Sequence, residues 1–214
     1  MRITTEGAHL TLCSTVLSLR GAKTVTQPFQ DPDGDCILCW NGEAWCIDGE
    51  PRTGNDTEAV HKLLTDTVTS FTEGHNPGAL NRSAAHVATA LSRAAGPYAI
   101  VFYDAPRRIL FVGRDFLGRR SLLFRTTAAG EVIFSSVSCG DHTEGWQELN
   151  ADGIYCFSLC KTTDPQPAGE RQFADFAVGH APYDFADPGL ESQSSNESVG
   201  PAPPVFNELP LIQR

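Results

Sequence analysis

The sequence predicts an α+β domain in which helices pack on antiparallel sheets. Short alternating apolar runs come first along the chain, two segments with helical periodicity follow, and another series of short strands comes after them. Strands and helices that are segregated in this way favour antiparallel sheets over a parallel sheet with crossover helices.

The first strands are predicted at Leu10–Leu19 and Cys36–Trp40, where apolar and polar residues alternate. Between them, Asp31-Pro32-Asp33-Gly34 is typical of a turn, because proline fixes one backbone angle and glycine accepts conformations closed to other residues.

Two helices are predicted in the middle of the chain. Asn55 is a candidate N-cap, and Glu58 three residues later completes a capping-box pattern. A second helix is predicted over Leu80–Ala95, ending at Gly96-Pro97. The apolar residues that recur at helical spacing in the first helix are Val60, Leu63, Leu64, Val68 and Phe71.

A hairpin is predicted next, with Tyr98–Asp104 paired to Ile109–Gly113 across the turn 105–108. Three further strands are predicted, at Leu122–Phe124, Val132–Ser135 and Gly153–Leu159.

The composition changes near Lys161, which predicts a domain over residues 1–160 and a Pro-rich, acidic linker or tail over 161–214. This tail holds eight of the 14 prolines, with eight acidic and three basic residues. It has too little apolar surface to offset chain entropy, so it is predicted to be disordered.

Charge and hydropathy exclude several classes of function. The formal net charge is −10, which argues against nucleic-acid binding. No run of about 18 apolar residues predicts a membrane span, and the first 19 residues lack the features of a signal peptide. The seven cysteines then indicate a reduced, cytoplasmic chain.

The sequence predicts no metal site. Cys36-x-x-Cys39 lies inside an apolar strand pattern and has no second ligand pair, so we interpret both cysteines as packed side chains. The six histidines show no ligand spacing, and Arg114, Arg119, Arg120 and Arg125 form a small basic cluster that could be a solvated face or pair with Asp115 and Asp104.

Two short segments allow both a structural and a chemical interpretation. Asn41-Gly42 is most often a two-residue hairpin turn, but an Asn amide beside a Gly N–H can also hold an oxyanion. Asp56 is favourable at a helix start, but it could equally hold an α-ammonium group while Arg20 binds the α-carboxylate.

The order of these segments resembles the asparagine synthetase domain-containing proteins, which are relatives of the asparagine synthetases with a class II glutamine amidotransferase domain. The resemblance covers about Thr11 to Leu159. The segments that carry it are Leu19-Arg20-Gly21, Thr26-Gln27-Pro28, Leu38-Cys39-Trp40-Asn41-Gly42-Glu43, Asn55-Asp56-Thr57-Glu58, Gly96-Pro97-Tyr98, Gly113-Arg114-Asp115-Phe116-Leu117-Gly118-Arg119-Arg120-Ser121-Leu122-Leu123 and Phe134-Ser135-Ser136-Val137.

The resemblance implies an N-terminal-nucleophile hydrolase fold, a four-layer αββα sandwich with antiparallel sheets. It also implies that an N-terminal cysteine attacks glutamine, with Asn41 and Gly42 as the oxyanion hole. Arg20, Asn41, Glu43 and Asp56 are the implied glutamine-binding residues.

Two departures from the family shape the expected function. This chain begins Met1-Arg2-Ile3, so the family's terminal Cys and first strand are missing, and Cys13 has no free α-amine to replace it. The synthetase domain that uses ATP and magnesium is also missing, and no cofactor is expected.

We therefore expect a glutamine amidotransferase-like domain, truncated at both ends, that is inactive as a glutaminase. The intact parent would carry out glutamine-dependent amide transfer in asparagine biosynthesis. The alternative is a non-catalytic amino-acid-binding, regulatory or scaffold module. A retained pocket would bind glutamine or glutamate weakly through Arg20 and Asp56, whereas a pure scaffold would bind neither.

Overall fold

The computed structural model describes residues 1–4, 8–18, 20–32, 34–71, 77–138, 145–159 and 178–179. These residues lie in one compact unit, Met1–Tyr183. Two helices, α1 (Thr57–Thr69) and α2 (Pro77–Ser92), separate two groups of strands. Before the helices come β1 (Arg2–Thr4), β2 (His9–Thr11), β3 (Cys36–Gly42), β4 (Cys46–Ile47) and β5 (Glu50–Pro51). After them come β6 (Ala94–Ala95), β7 (Tyr98–Asp104), β8 (Ile109–Arg114), β9 (Leu123–Thr126), β10 (Val132–Ser135), β11 (Gln147–Glu148), β12 (Gly153–Ser158) and β13 (Val178–Gly179).

The largest sheet has five antiparallel strands in the order β13-β12-β8-β7-β3. Strands β7 and β8 form its centre, and their hairpin turns at 105–108, where the Arg108 N–H donates to the Ala105 carbonyl over 3.1 Å. Strand β3 is the edge strand on the other side from β13. The sheet is apolar on both faces, which is why β7 and β8 are buried almost throughout.

Helices α1 and α2 cover one face of the sheet. Their apolar stripes pack on side chains of the sheet such as Leu38, Phe102 and Phe111, all of which are fully buried. The helical residues in this core include Val60, Leu64, Val68, Val87 and Leu91.

A second apolar cluster lies on the opposite face. It is built on Ile37, Tyr103, Leu110, Val112 and Tyr155, and it also holds Leu12, Ala99, Leu122 and Leu149. The small sheets β1-β2 and β10-β9-β11 contribute partly buried side chains to this cluster. The described residues therefore form one helical layer, the main sheet and a layer of smaller sheets, and the second helical layer has no counterpart among them.

Most strands lie where the sequence predicts them. The hairpin of β7 and β8 is confirmed, as are the positions of β10 and β12 to within one residue. The turn at Asp31–Gly34 is also present, with the Gly34 N–H donating to the Asp31 carbonyl over 3.0 Å; Asp33 itself lies outside the described residues.

The predicted strand over Leu10–Leu19 is mostly wrong. Only His9–Thr11 forms a strand, and it pairs with Arg2–Thr4 rather than with β3. The free edge of β3 is instead occupied by Phe29, which exchanges two backbone hydrogen bonds with Leu38 at 2.8 and 2.9 Å. Residue 19 lies outside the described residues.

Both helix boundaries predicted from caps need correction. The N-cap of α1 is Asp56, one residue later than Asn55. Its side chain makes no capping bond, and its Oδ2 accepts from Trp40 and Ala44 instead. The end of α2 is at Ser92, because Ala94 and Ala95 leave the helix to pair with β4.

The structure describes two residues of the predicted tail, Val178 and Gly179, and they pair with β12. The rest of 161–214 lies outside the described residues, so its disorder stays a prediction.

Within the described part of the chain, no helix is long and apolar enough to cross a membrane. The same residues bring no three His, Cys, Asp or Glu side chains together as metal ligands.

Gly96 fixes the backbone that follows β3. It has a φ of 151°, and a Cβ placed on it would lie 1.8 Å from the Glu43 carbonyl oxygen. We predict that Gly96→Ala lowers the free energy of unfolding by at least about 3 kcal/mol, because backbone strain and a backbone clash act together. Urea unfolding followed by circular dichroism measures this change.

Gly54→Ala is the matched control, because no heavy atom lies within 4 Å of a Cβ at that position and its φ is not in the positive range. It should change the free energy of unfolding by less than about 1 kcal/mol. Equal stability of the two variants would show that the close approach of Gly96 to Glu43 is not present in solution.

The cysteines of the core should resist alkylation. The side chains of Cys36 and Cys39 lie on opposite faces of the main sheet, one in each apolar cluster. They therefore cannot bind one metal ion or form a disulfide with each other. Burial raises the pKa of Cys36 to about 11 and of Cys156 to about 12, and burial also raises the pKa of Cys39.

Only the thiolate reacts, and at about pH 8 a thiol with a pKa of 11 is ionised in roughly one molecule in a thousand. We predict that iodoacetamide labels the exposed Cys13 first, and labels Cys36 and Cys156 only as the pH approaches 11 or in denaturant. Peptide mapping by mass spectrometry measures each site. Labelling of native Cys36 as fast as Cys13 at pH 8 would contradict this burial.

Candidate functional site

The segment Asn41-Gly42 belongs to strand β3 and is not a hairpin turn. Asn41 lies opposite Ala99 and Gly42 opposite Tyr98 in the register with β7. The chain leaves the strand only after Gly42, and the Glu43 N–H then donates to the Pro97 carbonyl over 3.0 Å. The turn interpretation of this pair is therefore wrong.

The Gly42 N–H points away from β7, toward the edge of the sheet. In an antiparallel pair, alternate residues turn their backbone groups outward. Leu38 does so, since it bonds Phe29, and so does Trp40, whose backbone N–H and carbonyl bond the Gln27 side chain at 2.6 and 2.9 Å. Gly42 follows at the same spacing, so its N–H is directed outward as well.

Asn41 presents its side chain on the other face from the helices. Alternation along β3 places it on the side of Ile37 and Cys39, and it is exposed there. An exposed amide at a strand end can donate to a ligand, because no hydrogen bond to another described residue engages it.

Gly42 is required by the protein's own packing. A Cβ at this position would lie 2.8 Å from the Pro97 carbonyl oxygen, from the Trp40 ring and from the Tyr98 Cβ. The oxyanion interpretation of Asn41-Gly42 uses only the backbone N–H of this glycine. The structure gives it a second task, the close contact of β3 with the start of β7.

Asp56 is 4% exposed and lies beneath the end of β3. Its Oδ2 atom accepts the Ala44 N–H over 2.6 Å and the Trp40 indole N–H over 3.1 Å. The bonds from described residues all go to Oδ2, and Oδ1 accepts none from them. Asp56 therefore anchors the segment 40–44 and still has one oxygen with spare acceptor capacity.

Arg20 lies next to the start of α1. Its guanidinium donates to the carbonyl of Arg52, which leaves other N–H groups available. The following residue, Gly21, has a φ of 79°, and a Cβ on it would lie 2.8 Å from the Asn55 nitrogen. This tight contact places Arg20-Gly21 directly against Asn55-Asp56.

Glu43 forms an ion pair with Arg120 at 3.4 Å, with both side chains about one-third exposed. The neighbouring Arg119 lies over the ring of Trp45, 5.7 Å from its centroid. The two arginines therefore contact the segment that follows β3 at two positions. Such partly exposed contacts contribute little stability, but they orient side chains.

The loop that carries these arginines is organised by Asp115, which is fully buried. Its carboxylate accepts the backbone N–H groups of Tyr98, Leu117 and Arg119 at 3.1 to 3.2 Å, and the Arg119 Nε–H at 2.9 Å. Four donors around one buried carboxylate fix the loop to the start of β7.

Arg114 is the second buried charge of this loop. Its guanidinium donates to the carbonyls of Gly118, Arg120 and Leu149, and it pairs with Glu148 at 2.9 Å. This network fixes the loop between β8 and β9 as far as Arg120.

The basic cluster is therefore not a solvated face. The expected pair of Arg119 with Asp115 is confirmed. The expected pairing of the cluster with Asp104 is wrong, because Arg107 occupies that carboxylate at 3.2 Å. Arg125 lies over the Trp146 ring, 5.1 Å from its centroid.

The structure brings together the segments that carry the five residues named by sequence. The bond from Ala44 to Asp56 joins Asn41, Gly42 and Glu43 to α1, and the Gly21 contact adds Arg20. Trp40 and Gln27 also support these segments, although no sequence pattern identifies them. The side-chain amide of Gln27 gives no local signal that it will bond a strand edge 13 residues later.

A family profile matches most of the described chain. Residues 14–139 match the glutamine amidotransferase domain, a range that includes Arg20, Asn41, Gly42, Glu43 and Asp56. It also includes the loop organised by Arg114 and Asp115.

The chain matches part of several longer curated relatives. The chain is 32% identical over 151 residues to asparagine synthetase domain-containing protein 1 of Homo sapiens, covering 69% of this chain and 21% of that protein. It is 33% identical over 153 residues to the same protein of Gallus gallus, covering 69% and 22%. The chain thus spans about a fifth of the length of these relatives.

Two solved structures also show similarity. One is the glutamine phosphoribosylpyrophosphate amidotransferase of B. subtilis, with a TM-score of 0.31 and 17% identity, covering 64% of this chain and 32% of that one. The other is an allosteric regulatory enzyme of purine biosynthesis, with a TM-score of 0.38 and 16% identity, covering 64% and 31%. At these TM-scores the similarity adds no argument.

The profile match covers more than half of the chain, and the relatives of 32% and 33% identity match 69% of it. The chain belongs to the glutamine amidotransferase domain family and is similar to asparagine synthetase domain-containing protein 1.

Proposed function

We propose that this domain binds L-glutamine at the end of strand β3. The side-chain carbonyl of glutamine would accept from the Asn41 amide and the Gly42 N–H. The α-ammonium group would contact Asp56, and the α-carboxylate would contact Arg20. The observation that carries this proposal is the outward Gly42 N–H at the sheet edge, on a segment that Asp56 anchors to the start of α1.

The chemistry of these groups supports the proposal. Glutamine has an amide at one end and a zwitterionic group at the other. Neutral donors suit the amide oxygen, and the same donors would stabilise an oxyanion if the amide were attacked. A carboxylate and a guanidinium suit the zwitterionic end.

We propose further that this 214-residue chain binds glutamine without hydrolysing it. Burial raises the pKa of Cys36, Cys39 and Cys156, which keeps these thiols protonated near neutral pH. The other four of the seven cysteines have their backbone nitrogens in peptide bonds, so none offers the free α-amine that the family mechanism uses.

In a longer protein of the relatives' kind, the domain would supply the glutamine-binding part of an amide transfer in asparagine biosynthesis. ATP and magnesium would belong to a separate synthetase domain. We place the domain in the cytoplasm, because its five described cysteines are free thiols.

Calorimetry with L-glutamine tests the binding site. We predict that Asn41→Ala and Arg20→Gln each lower the affinity about ten-fold or more, because each removes a hydrogen bond to a polar or charged ligand group. D-glutamine should bind more weakly than L-glutamine, since its α-ammonium and α-carboxylate are exchanged in space.

Arg2→Gln is the matched control, because Arg2 is exposed on β1, and it should leave the affinity unchanged. Absence of binding to the unmodified chain, or binding that both site variants leave unchanged, would overturn the proposed site. Release of ammonia that depends on Asn41 would overturn the proposal that the chain binds without hydrolysis.

A further inference from the structure

We propose that Trp40 is a positioning residue for the recognition of the α-ammonium group, acting through Asp56. This inference rests on the proposed function, since it assigns the support of that site. The inference goes beyond the proposed function because it names the residue that decides which oxygen of Asp56 faces the ligand.

Trp40 is held in one orientation by two sets of contacts and by burial. Its ring stacks on Tyr98, with 5.5 Å between centroids and 22° between planes. Its backbone is bonded on the outer side by both ends of the Gln27 amide. With 6% of its surface exposed, the ring has little freedom to turn.

The indole N–H is a donor with no acceptor function, and it points at Asp56 Oδ2. The Ala44 N–H donates to the same oxygen. Two donors on Oδ2 fix the rotation of the carboxylate, which directs Oδ1 elsewhere. Because Oδ1 accepts no bond from the described residues, it is the oxygen available to an ammonium group.

A structural role alone would also give Trp40 a partner, since a buried indole N–H usually finds one. The two roles differ in what they do to ligands. A purely structural Trp40 affects all ligands of the site alike. A positioning Trp40 affects only ligands that carry the α-ammonium group.

The test compares L-glutamine with glutaramate, which keeps the amide and the carboxylate but lacks the α-ammonium group. Trp40→Phe keeps a ring for stacking on Tyr98 and removes the N–H. We expect this variant to bind L-glutamine about ten-fold more weakly and glutaramate within about two-fold of the unmodified chain, since only a hydrogen bond to a charged group is lost. Calorimetry measures both affinities.

Trp146→Phe is the matched control, because it makes the same substitution beside Arg125, and it should change neither affinity. If Trp40→Phe does not fold, β-(3-benzothienyl)alanine at position 40 replaces the N–H by sulfur in a ring of nearly the same shape. The same changes in affinity for L-glutamine and glutaramate are expected for that variant.

If Trp40→Phe lowers the affinity for both ligands equally, or does not lower the affinity for L-glutamine, the role of Trp40 is overturned while the glutamine site remains intact. Failure of the unmodified chain to bind either ligand would instead overturn the proposed function and this inference together. An indole N–H signal of Trp40 that shifts with L-glutamine, but not with glutaramate, would support the inference independently.

Discussion

The candidate site depends on one buried carboxylate oxygen, Oδ2 of Asp56. It accepts from the backbone of Ala44 and from the indole of Trp40, so it fixes the segment after β3 against the start of α1. Without this anchor, the outward donors of β3 and the cationic Arg20 would belong to separate parts of the molecule. The helix start also favours a negative charge at this position, so one residue serves both packing and the proposed recognition.

A second buried carboxylate, Asp115, has a parallel role on the other side of the segment. It organises the loop whose Arg119 and Arg120 contact Trp45 and Glu43. Buried charges of this kind are costly unless every donor around them is placed well. Their presence at both flanks of Asn41–Trp45 indicates that the backbone geometry of this segment is strongly constrained.

The sequence predicts the strands and helices well where apolar periodicity decides them, as in the hairpin of β7 and β8. It fails where long-range pairing decides the outcome. Residues 10–19 alternate like a strand, but Phe29 and Gln27 occupy the edge they would need. Asn55 has the character of an N-cap, but the tertiary contacts of Asp56 set the helix start. At the site, motif order predicts the recognition groups, whereas their support by Trp40, Gln27 and Arg114 depends on contacts that no local pattern contains.

The most direct test of this account is the backbone amide signal of Gly42 in a ¹H–¹⁵N correlation spectrum during titration with L-glutamine. We predict a saturable shift of this signal together with the side-chain amide of Asn41, because both would donate to the ligand in the proposed site. Glycines far from β3, such as Gly130, should not shift. Saturable binding of glutamine with no change at Gly42 would contradict the account, because it would place the ligand elsewhere on the domain.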